Sequence, residues 1–208
     1  MSRTVSELVA LYSPDFPKET VAAKVAARDG REPEDVIAEW DLKGDVAVNF
    51  GHAIDKAVRL WIRFGVLPSQ PFLAQAVEEF KPFLDGLTAH ADVRFENELL
   101  RGITDIVISH GEKEVSIWDI KTNGDLDTAH GKMLPPFNLP ASNLNKYRLQ
   151  LSLYGYLAED MGLKVREYKI PHYTNKWTLL DIEPIDRSII ENLPELTSAG
   201  QITAKNAI

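Results

Sequence analysis

Two short apolar segments, each interrupted by an acidic residue, most constrain how this chain can fold. The first segment is 103–109 and carries Asp105, and the second is 114–122 and carries Asp119 and Lys121. Both segments have the length and the β-branched residues typical of strands, and the glycine-containing stretch between them predicts a turn. Because successive side chains of a strand point to opposite faces, Asp119 and Lys121 are predicted to share one face.

The neighbours of these acidic residues indicate the chemistry. Asp119 lies between Trp118 and Ile120, and Asp105 also has apolar neighbours, so both strands are predicted to be central in a sheet. A buried carboxylate requires a partner, because burying it unpaired is costly. Two converging carboxylates can hold a hard divalent cation, and a nearby lysine can steer a nucleophile or balance phosphate charge. The pattern favours metal-assisted phosphodiester cleavage over the alternative, ordinary alternating charges on a surface strand.

The periodicity of the remaining chain predicts a mixed α/β domain with one central sheet. The first ninety residues are predicted to be helical, with helices at 20–28, 46–64 and 72–87, the last kinked or ended early by Pro82. Pro33 is also predicted to lie in a first helical turn, because Glu34 and Asp35 after it suit the helix dipole. Predicted strands follow at 92–100, 103–109 and 114–122, then a helix at 144–161 and strands at 165–174 and 176–185. The proline-bearing stretch 123–143 between them is predicted to be a functional or a disordered loop.

Length and composition set the class of protein. The chain has 208 residues, of which 44% are hydrophobic and 26% are charged, as in an ordinary soluble globular protein. We expect one domain over 1–208, with a helical part at 1–90, the catalytic sheet and helix at 91–185, and a C-terminal tail at 186–208. The absence of an apolar run long enough for a bilayer, and of the apolar block of a signal peptide, predicts a cytoplasmic protein without a membrane partner.

Cysteine content and charge exclude several classes. The chain has no cysteine, which rules out disulfides, thiolate zinc sites and cysteine-ligated iron–sulfur clusters. The net charge of −8 argues against a surface coated in positive charge for unspecific DNA binding, but leaves room for a local basic groove. The candidate cations for such a groove, most of which we expect to be solvated, are Lys132, Lys146, Arg148, Lys164, Arg166 and Lys169.

Three motifs in chain order resemble the PD-(D/E)XK nuclease superfamily, in its RecB-like branch, which includes many phage exonucleases. The motifs are Gly102-x-x-Asp105, Asp119-x-Lys121 and, on the following predicted helix, Gln150-x-x-x-Tyr154. The resemblance covers roughly residues 45 to 185. It implies a restriction-endonuclease-like core, in which a central mixed sheet is flanked by helices.

The same resemblance implies roles for individual residues. Asp105 and Asp119 would bind Mg²⁺ or Mn²⁺, the main-chain carbonyl of Ile120 would assist, and Lys121 would orient the attacking water and stabilise the charged phosphorane. Gln150 and Tyr154, one helical turn apart, would line the site, although core packing also explains Tyr154. A glutamate near the preceding strand is common in this branch, and Glu96 is preferred to Glu98 for that place.

One position departs from the resemblance. The family's first helix carries G-x-x-x-H, and counting from Gly51 places Asp55 where the histidine stands, while a histidine occurs earlier, as His52. Either side chain could approach the metal, because both lie on neighbouring faces of one helical turn. We favour Asp55, since a hard cation prefers oxygen ligands. The alternatives are that His52 is a surface or packing residue and that Asp55 is an exposed charge paired with Arg59.

The sequence therefore predicts a metal-dependent DNA nuclease, and more specifically an exonuclease for recombination, repair or phage DNA processing. DNA is its expected partner, with a recombination or single-strand-binding protein as a second candidate, in the cytoplasm of a bacterial or phage-infected cell. Two alternatives remain: a non-catalytic RecB-like module that binds DNA or protein, and a metal-dependent hydrolase of another substrate.

Overall fold

Helices flank both faces of one mixed sheet in the computed structural model, which describes residues 2–129 and 131–197. The helices are α1 (Val5–Tyr12), α2 (Lys18–Asp29), α3 (Pro33–Phe64), α4 (Pro71–Phe80), α5 (Asn143–Asp160) and α6 (Arg187–Glu191). The strands are β1 (Arg3–Thr4), β2 (Thr88–Glu96), β3 (Leu100–Ser109), β4 (Glu114–Trp118), β5 (Met133–Leu134), β6 (Leu139–Pro140), β7 (Lys164–Tyr173) and β8 (Trp177–Asp181). The predicted α/β architecture is confirmed, and it is compatible with a restriction-endonuclease-like core.

Helix α3 is longer than the sequence predicted. It runs for 32 residues from Pro33, a residue suited to a first helical turn, to Phe64, and Gly65 ends it in a left-handed conformation with φ 68°. The predicted helix start at Pro33 is confirmed, whereas helical periodicity was predicted only from residue 46; Gly44 does not interrupt the helix between them, since a single glycine costs a helix only about 1 kcal/mol. The prediction for Pro82 is confirmed, because α4 ends at Phe80 and a 3₁₀ turn follows.

The sheet splits beside β3, and this split positions the site. Strand β2 pairs antiparallel with β3 along nearly its whole length. The other edge of β3 is shared by β4, which pairs with 106–109, and by β1, which pairs only with Leu100 and Arg101. Beyond Trp118 the chain stays hydrogen-bonded to β7 instead, since Lys121 N–H donates to the carbonyl of Pro171 at 3.0 Å. The edge of β3 is therefore open around Asp105.

Two apolar cores hold helices against opposite faces of the sheet near this split. One core packs α1 and α5 against side chains that include Val107 and Ile117. The other packs α3 and α4 against the alternate residues, among them Ile106, Ile108 and Trp118. Because neighbouring strand residues face opposite ways, each core takes every second side chain. Helices α3 and α5 are thereby fixed on either side of the split.

Several predicted boundaries were wrong. The strand predicted at 92–100 is β2, which ends at Glu96 because the side chain of Asn97 accepts hydrogen bonds from the N–H groups of Leu99 and Leu100 and forms a turn. Strand β1 was missed, since two residues carry no periodicity. The predicted loop 123–143 contains the short hairpin β5–β6. The predicted tail begins with α6, and its part from residue 198 onward lies outside the described residues.

In the part of the chain that the structure describes, no helix is both long enough and apolar enough to cross a membrane.

Candidate active site

An open cleft of about 460 Å³ lies where the sheet splits. Helix α3, the end of β4 and helix α5 each contribute one wall. The predicted site residues that line it are His52, Asp55, Asp105, Asp119, Ile120, Lys121, Gln150 and Tyr154. The fold thus brings together residues from four separate stretches of the chain, and of the predicted catalytic residues and metal ligands only Glu96 lies elsewhere.

Asp105 occupies the open edge of β3. Its Oδ2 accepts a hydrogen bond from the N–H of Ile120 at 2.8 Å. This carboxylate replaces the main-chain partner that the Ile120 N–H loses where β4 leaves β3. The carbonyl of Ile120 points to the same edge of the strand, because the N–H and C=O groups of an extended residue lie on one side. Burial raises the pKa of the Asp105 carboxyl well above its usual range, and the nearby Asp119 and Asp55 carboxylates raise it further.

The raised pKa of Asp105 predicts a stability effect in the metal-free protein. The Asp105 carboxyl holds its proton more tightly in the folded state than in the unfolded chain. Its contribution to the free energy of unfolding is therefore complete below its unfolded-state pKa of about 3.9 and is lost as pH rises through its folded-state pKa. Asp105→Asn should therefore raise the unfolding temperature at neutral pH, by about 2–4 °C for each 1 kcal/mol recovered. Thermal unfolding across pH in EDTA measures this, with the exposed Asp85→Asn as control; a gain that persists unchanged below about pH 4 would contradict the assignment.

Asp119 and Lys121 form a buried ion pair. Asp119 is only 2% exposed, and Lys121 is the partner of its Oδ2 atom. Burial lowers the pKa of the Lys121 ammonium, but the charges of Asp119 and Asp105 outweigh this effect and raise the pKa above its ordinary value. Lys121 is therefore protonated at neutral pH and acts as a donor of hydrogen bonds and positive charge.

Sequence reasoning missed the residues that hold Lys121 in place. The Lys121 Nζ atom lies 4.6 Å from the centre of the Tyr147 ring, a cation–π contact. The Tyr147 hydroxyl donates to the Asn123 side-chain oxygen at 2.9 Å, and the His172 ring donates to the Asn123 carbonyl at 2.7 Å. A usable signal was present, because Tyr147 precedes Gln150 by three residues and so shares its helix face.

The Gln150–Tyr154 pair faces the cleft from α5. The Gln150 amide donates to the Tyr154 hydroxyl at 3.2 Å, which leaves the hydroxyl proton free to be donated in turn. Burial raises the pKa of Tyr154 to about 12, with a further contribution from Asp119. The ring packs over Gly102, where an added Cβ would lie 2.5 Å from the Tyr154 ring. The glycine of the first motif is therefore required for this close approach.

Asp55 reaches the cleft from α3. One of its carboxylate oxygens pairs with Arg59, as the alternative interpretation predicted, but the side chain is 19% exposed and not a free surface charge. The other oxygen, Oδ1, is buried without a hydrogen-bond partner in the described part of the chain. Burial raises the pKa of the Asp55 carboxyl, and Arg59 opposes that shift. His52 is exposed at the rim of the same cleft.

Glu96 is placed away from the cleft, so the structure contradicts its prediction as a metal ligand. It lies opposite Arg101, four residues along β3 from Asp105, and its carboxylate pairs with Arg94. At about 3.4 Å per residue this separation is about 14 Å. The residue beside Asp105 on β2 is Asp92, which lies between two regular pairs of the ladder and has a left-handed φ of 57°.

Asp92 takes part in the site indirectly. Its carboxylate pairs with Arg59, the residue that also holds Asp55, and with Arg63. Sequence reasoning missed this connection because Asp92 and Arg59 belong to different elements. Of the six cations proposed from sequence for a basic groove, none lines the cleft in the described residues. Lys164 and Arg166, for example, pair with Glu114 at the opposite end of β4.

The close packing of α3 against the end of β4 predicts the effect of a single methyl group. A Cβ on Gly51 would lie 2.6 Å from the Thr122 side-chain oxygen, next to Lys121. We expect Gly51→Ala to force the Thr122 hydroxyl or α3 to move, so that overpacking offsets or exceeds the gain of up to about 1 kcal/mol that alanine gives a helix. Gly44→Ala is the matched control, because that position on the same helix has open space and should gain up to about 1 kcal/mol. Urea unfolding of both variants measures this, and equal effects would contradict it.

The donor set suits a hard cation. Two carboxylates, Asp105 and Asp119, and the Ile120 carbonyl offer oxygen ligands, and Asp55 adds a buried oxygen without a partner. Within residues 2–129 and 131–197, no three acidic or histidine side chains are clustered closely enough to form a complete metal centre by themselves. Mg²⁺ commonly binds through one or two carboxylates and completes its shell with water and substrate oxygens, so this set fits such an ion.

Comparisons with known proteins gave structural likeness only. No family model matches the chain, and no curated protein matches it. A crystal structure of a phage related exonuclease from Haemophilus somnus 129PT is similar with a TM-score of 0.38 and 16% identity, covering 74% of this chain and 82% of that chain. The crystal structure of a protein named SSO0001 is similar with a TM-score of 0.32 and 15% identity, covering 75% of this chain and 74% of that chain.

Proposed function

We propose that this protein is a divalent-metal-dependent deoxyribonuclease that hydrolyses phosphodiester bonds in the cleft at the split of the sheet. The observation that carries the proposal is the convergence of Asp105, Asp119 and Lys121 on the open edge of β3. Carboxylates are seldom buried together unless a cation or another partner compensates them. A cleft open to solvent beside them leaves room for a polymeric substrate.

Asp105, Asp119 and the Ile120 carbonyl would hold Mg²⁺ or Mn²⁺, with Asp55 as a further inner- or outer-sphere ligand. The bound ion would polarise a phosphate oxygen and lower the pKa of a water molecule, so that a strong nucleophile forms at neutral pH.

The chain's own residues would supply the remaining functions. Lys121, kept protonated by Asp119, would orient the attacking water through hydrogen bonding and balance the negative charge that grows on the phosphate. The ring of Tyr147 covers the Lys121 ammonium group and so limits the positions that this group can take. Tyr154, which accepts a hydrogen bond from Gln150, has its own proton to donate to a phosphate oxygen.

We further propose an exonuclease that acts in DNA recombination, repair or phage DNA processing. The support for this narrower statement is the resemblance of the three ordered motifs to RecB-like nucleases. A non-catalytic DNA-binding or protein-interaction module is the second candidate, and one observation favours it: Arg59 already neutralises one oxygen of Asp55, without a metal.

End-labelled linear DNA and closed circular DNA, each incubated with Mg²⁺, Mn²⁺ or EDTA, test the proposal. We expect linear DNA to be degraded from its ends with either metal, circular DNA to be spared, and EDTA to stop the reaction. DNA binding that weakens with salt, but without cleavage in either metal, would support the non-catalytic module instead.

A further inference from the structure

A second pocket adjoins the candidate active site. It has a volume of about 360 Å³ and shares Ser6, Ile103 and Tyr154 with the cleft, so the two pockets are direct neighbours. The residues that distinguish the second pocket include Arg94 of β2 and Arg101 of β3. A pocket lined by two guanidinium groups therefore lies beside the cleft that holds the carboxylates.

Arg101 is open to a ligand, and Arg94 would share its guanidinium group between a ligand and Glu96. Arg101 is exposed and forms no ion pair in the described part of the chain, although its charge acts on the nearby Glu7 carboxylate. Arg94 contacts Glu96 through Nε and Nη2, and both of these bonds go to a single carboxylate oxygen. Guanidinium groups suit phosphate, because their planar donors match phosphate oxygens in pairs.

The N-terminus of α1, which also borders this pocket, is already satisfied. The Thr4 side chain accepts a hydrogen bond from the Glu7 N–H, and the Glu7 carboxylate accepts one from the Thr4 N–H. An anion in this pocket would consequently be recognised by the arginine side chains and not by the helix end.

The spacing along the strands matches a polymer that enters both pockets. Arg101 lies four residues, or about 14 Å, from Asp105 along β3, whereas Arg94 lies directly opposite Ile103, which is two residues, or about 7 Å, from Asp105. This is the order of the separation between neighbouring phosphates of an extended nucleic-acid strand. Ile103, between the two sites, is 55% exposed, which is unusual for so large an apolar side chain in a central strand.

We propose that Arg94 and Arg101 form a subsite for a second phosphate of the nucleic-acid strand, next to the phosphate that reacts, and that Ile103 contacts the sugar or base between them. This subsite rests on the proposed function, because its ligand is the same strand. Its role is to fix the register of the strand relative to Asp105 and Asp119. The phosphate can be an internal diester or a terminal monoester, which share the same chemistry.

Oligonucleotide binding in EDTA tests the subsite without cleavage. The probes are single-stranded oligonucleotides in which one phosphate at a time is replaced by an uncharged methylphosphonate, together with versions that carry or lack a terminal phosphate. The variants are Arg94→Ala combined with Arg101→Ala and, as a control, Arg166→Ala. Arg166 is also a strand arginine paired with a glutamate, but it lies at the far end of β4 and β7.

We expect the wild type to lose affinity about tenfold when one particular phosphate is neutral, the scale of a charge-assisted hydrogen bond. The double variant should bind that probe and the unmodified strand equally, and its slope of log affinity against log salt should be shallower by about 0.7. Arg166→Ala should behave as wild type. Loss at the terminal phosphate assigns the monoester, and loss at an internal position assigns the diester.

The subsite is overturned if the double variant binds as wild type does, or keeps the wild-type sensitivity at every position. Failure of the proposed function gives a different result: the wild type binds these probes but cleaves no DNA with Mg²⁺ or Mn²⁺, while the methylphosphonate comparison still decides the subsite. A wild type that binds none of the probes overturns the subsite, and the cleavage assay with Mg²⁺ or Mn²⁺ then decides the proposed function separately.

Discussion

Asp119→Asn and Lys121→Met are each expected to lower DNA cleavage by about 10³-fold or more, the scale for removing a group that stabilises transition-state charge. The two variants should differ in stability. Lys121→Met leaves Asp119 buried without a counter-charge, which costs about 3–5 kcal/mol when one member of a buried pair is removed. Asp119→Asn should cost less stability, because Lys121 keeps the Tyr147 ring and the charge of Asp105 nearby.

The double variant, Asp119→Asn with Lys121→Met, separates folding from chemistry. It contains neither buried charge of the pair, so its unfolding free energy should recover toward that of the wild type, because isosteric neutral pairs are often tolerated. Its cleavage rate should not recover. Rates on end-labelled linear DNA and urea unfolding of all three variants measure both effects, and activity in the double variant above about one-tenth of wild type would remove Asp119 and Lys121 from the mechanism.

Asp55→Ala is expected to weaken metal binding and cleavage together, by about 10–100-fold, whereas His52→Ala should change both less than a few-fold. The reason is geometric. Asp55 presents a buried oxygen without a partner, while His52 lies exposed at the rim of the cleft. Arg59 should stay in place in Asp55→Ala, since Asp92 also holds it.

Calorimetric titration of Mn²⁺ into the wild type and both variants, with cleavage rates measured in parallel, decides between the two residues. Asp55→Asn is a useful companion, because it preserves the shape of the side chain and removes its charge. The reverse ranking would assign the role to His52. Wild-type affinity and rate in both variants would mean that this part of α3 is only scaffold.

Most of the local geometry could be predicted because it depends on residues close together in the chain. The strands around Asp105 and Asp119 pair as neighbours, and Gln150 and Tyr154 share a helix face. The glycine of the first motif, Gly102, could also be recognised from the sequence alone. The physical reason for it could not, because Gly102 is needed where the ring of Tyr154, 52 residues later in the chain, packs on it.

The placement of Glu96 shows where this reasoning failed. The prediction took the nearest glutamate on the preceding strand, but which residue of β2 faces Asp105 depends on the register between β2 and β3. That register follows from the turn at Asn97 and from packing, and a shift of a few residues moves a side chain by more than the width of a site.

The sequence by itself indicated which groups belong to the candidate site. They are Asp105, Asp119 and Lys121 on two neighbouring strands, Gln150 and Tyr154 on one helix, and Asp55 on the helix that the structure shows as α3. Periodicity and adjacency are encoded within a few residues, so they can be read without the fold. Only the tertiary structure decided that the sheet opens at Asp105, that Tyr147 covers Lys121, and that Arg59 joins Asp55 to Asp92. These contacts join elements distant in sequence, and they exist because packing on the two faces of the sheet fixes α3 and α5 beside its split.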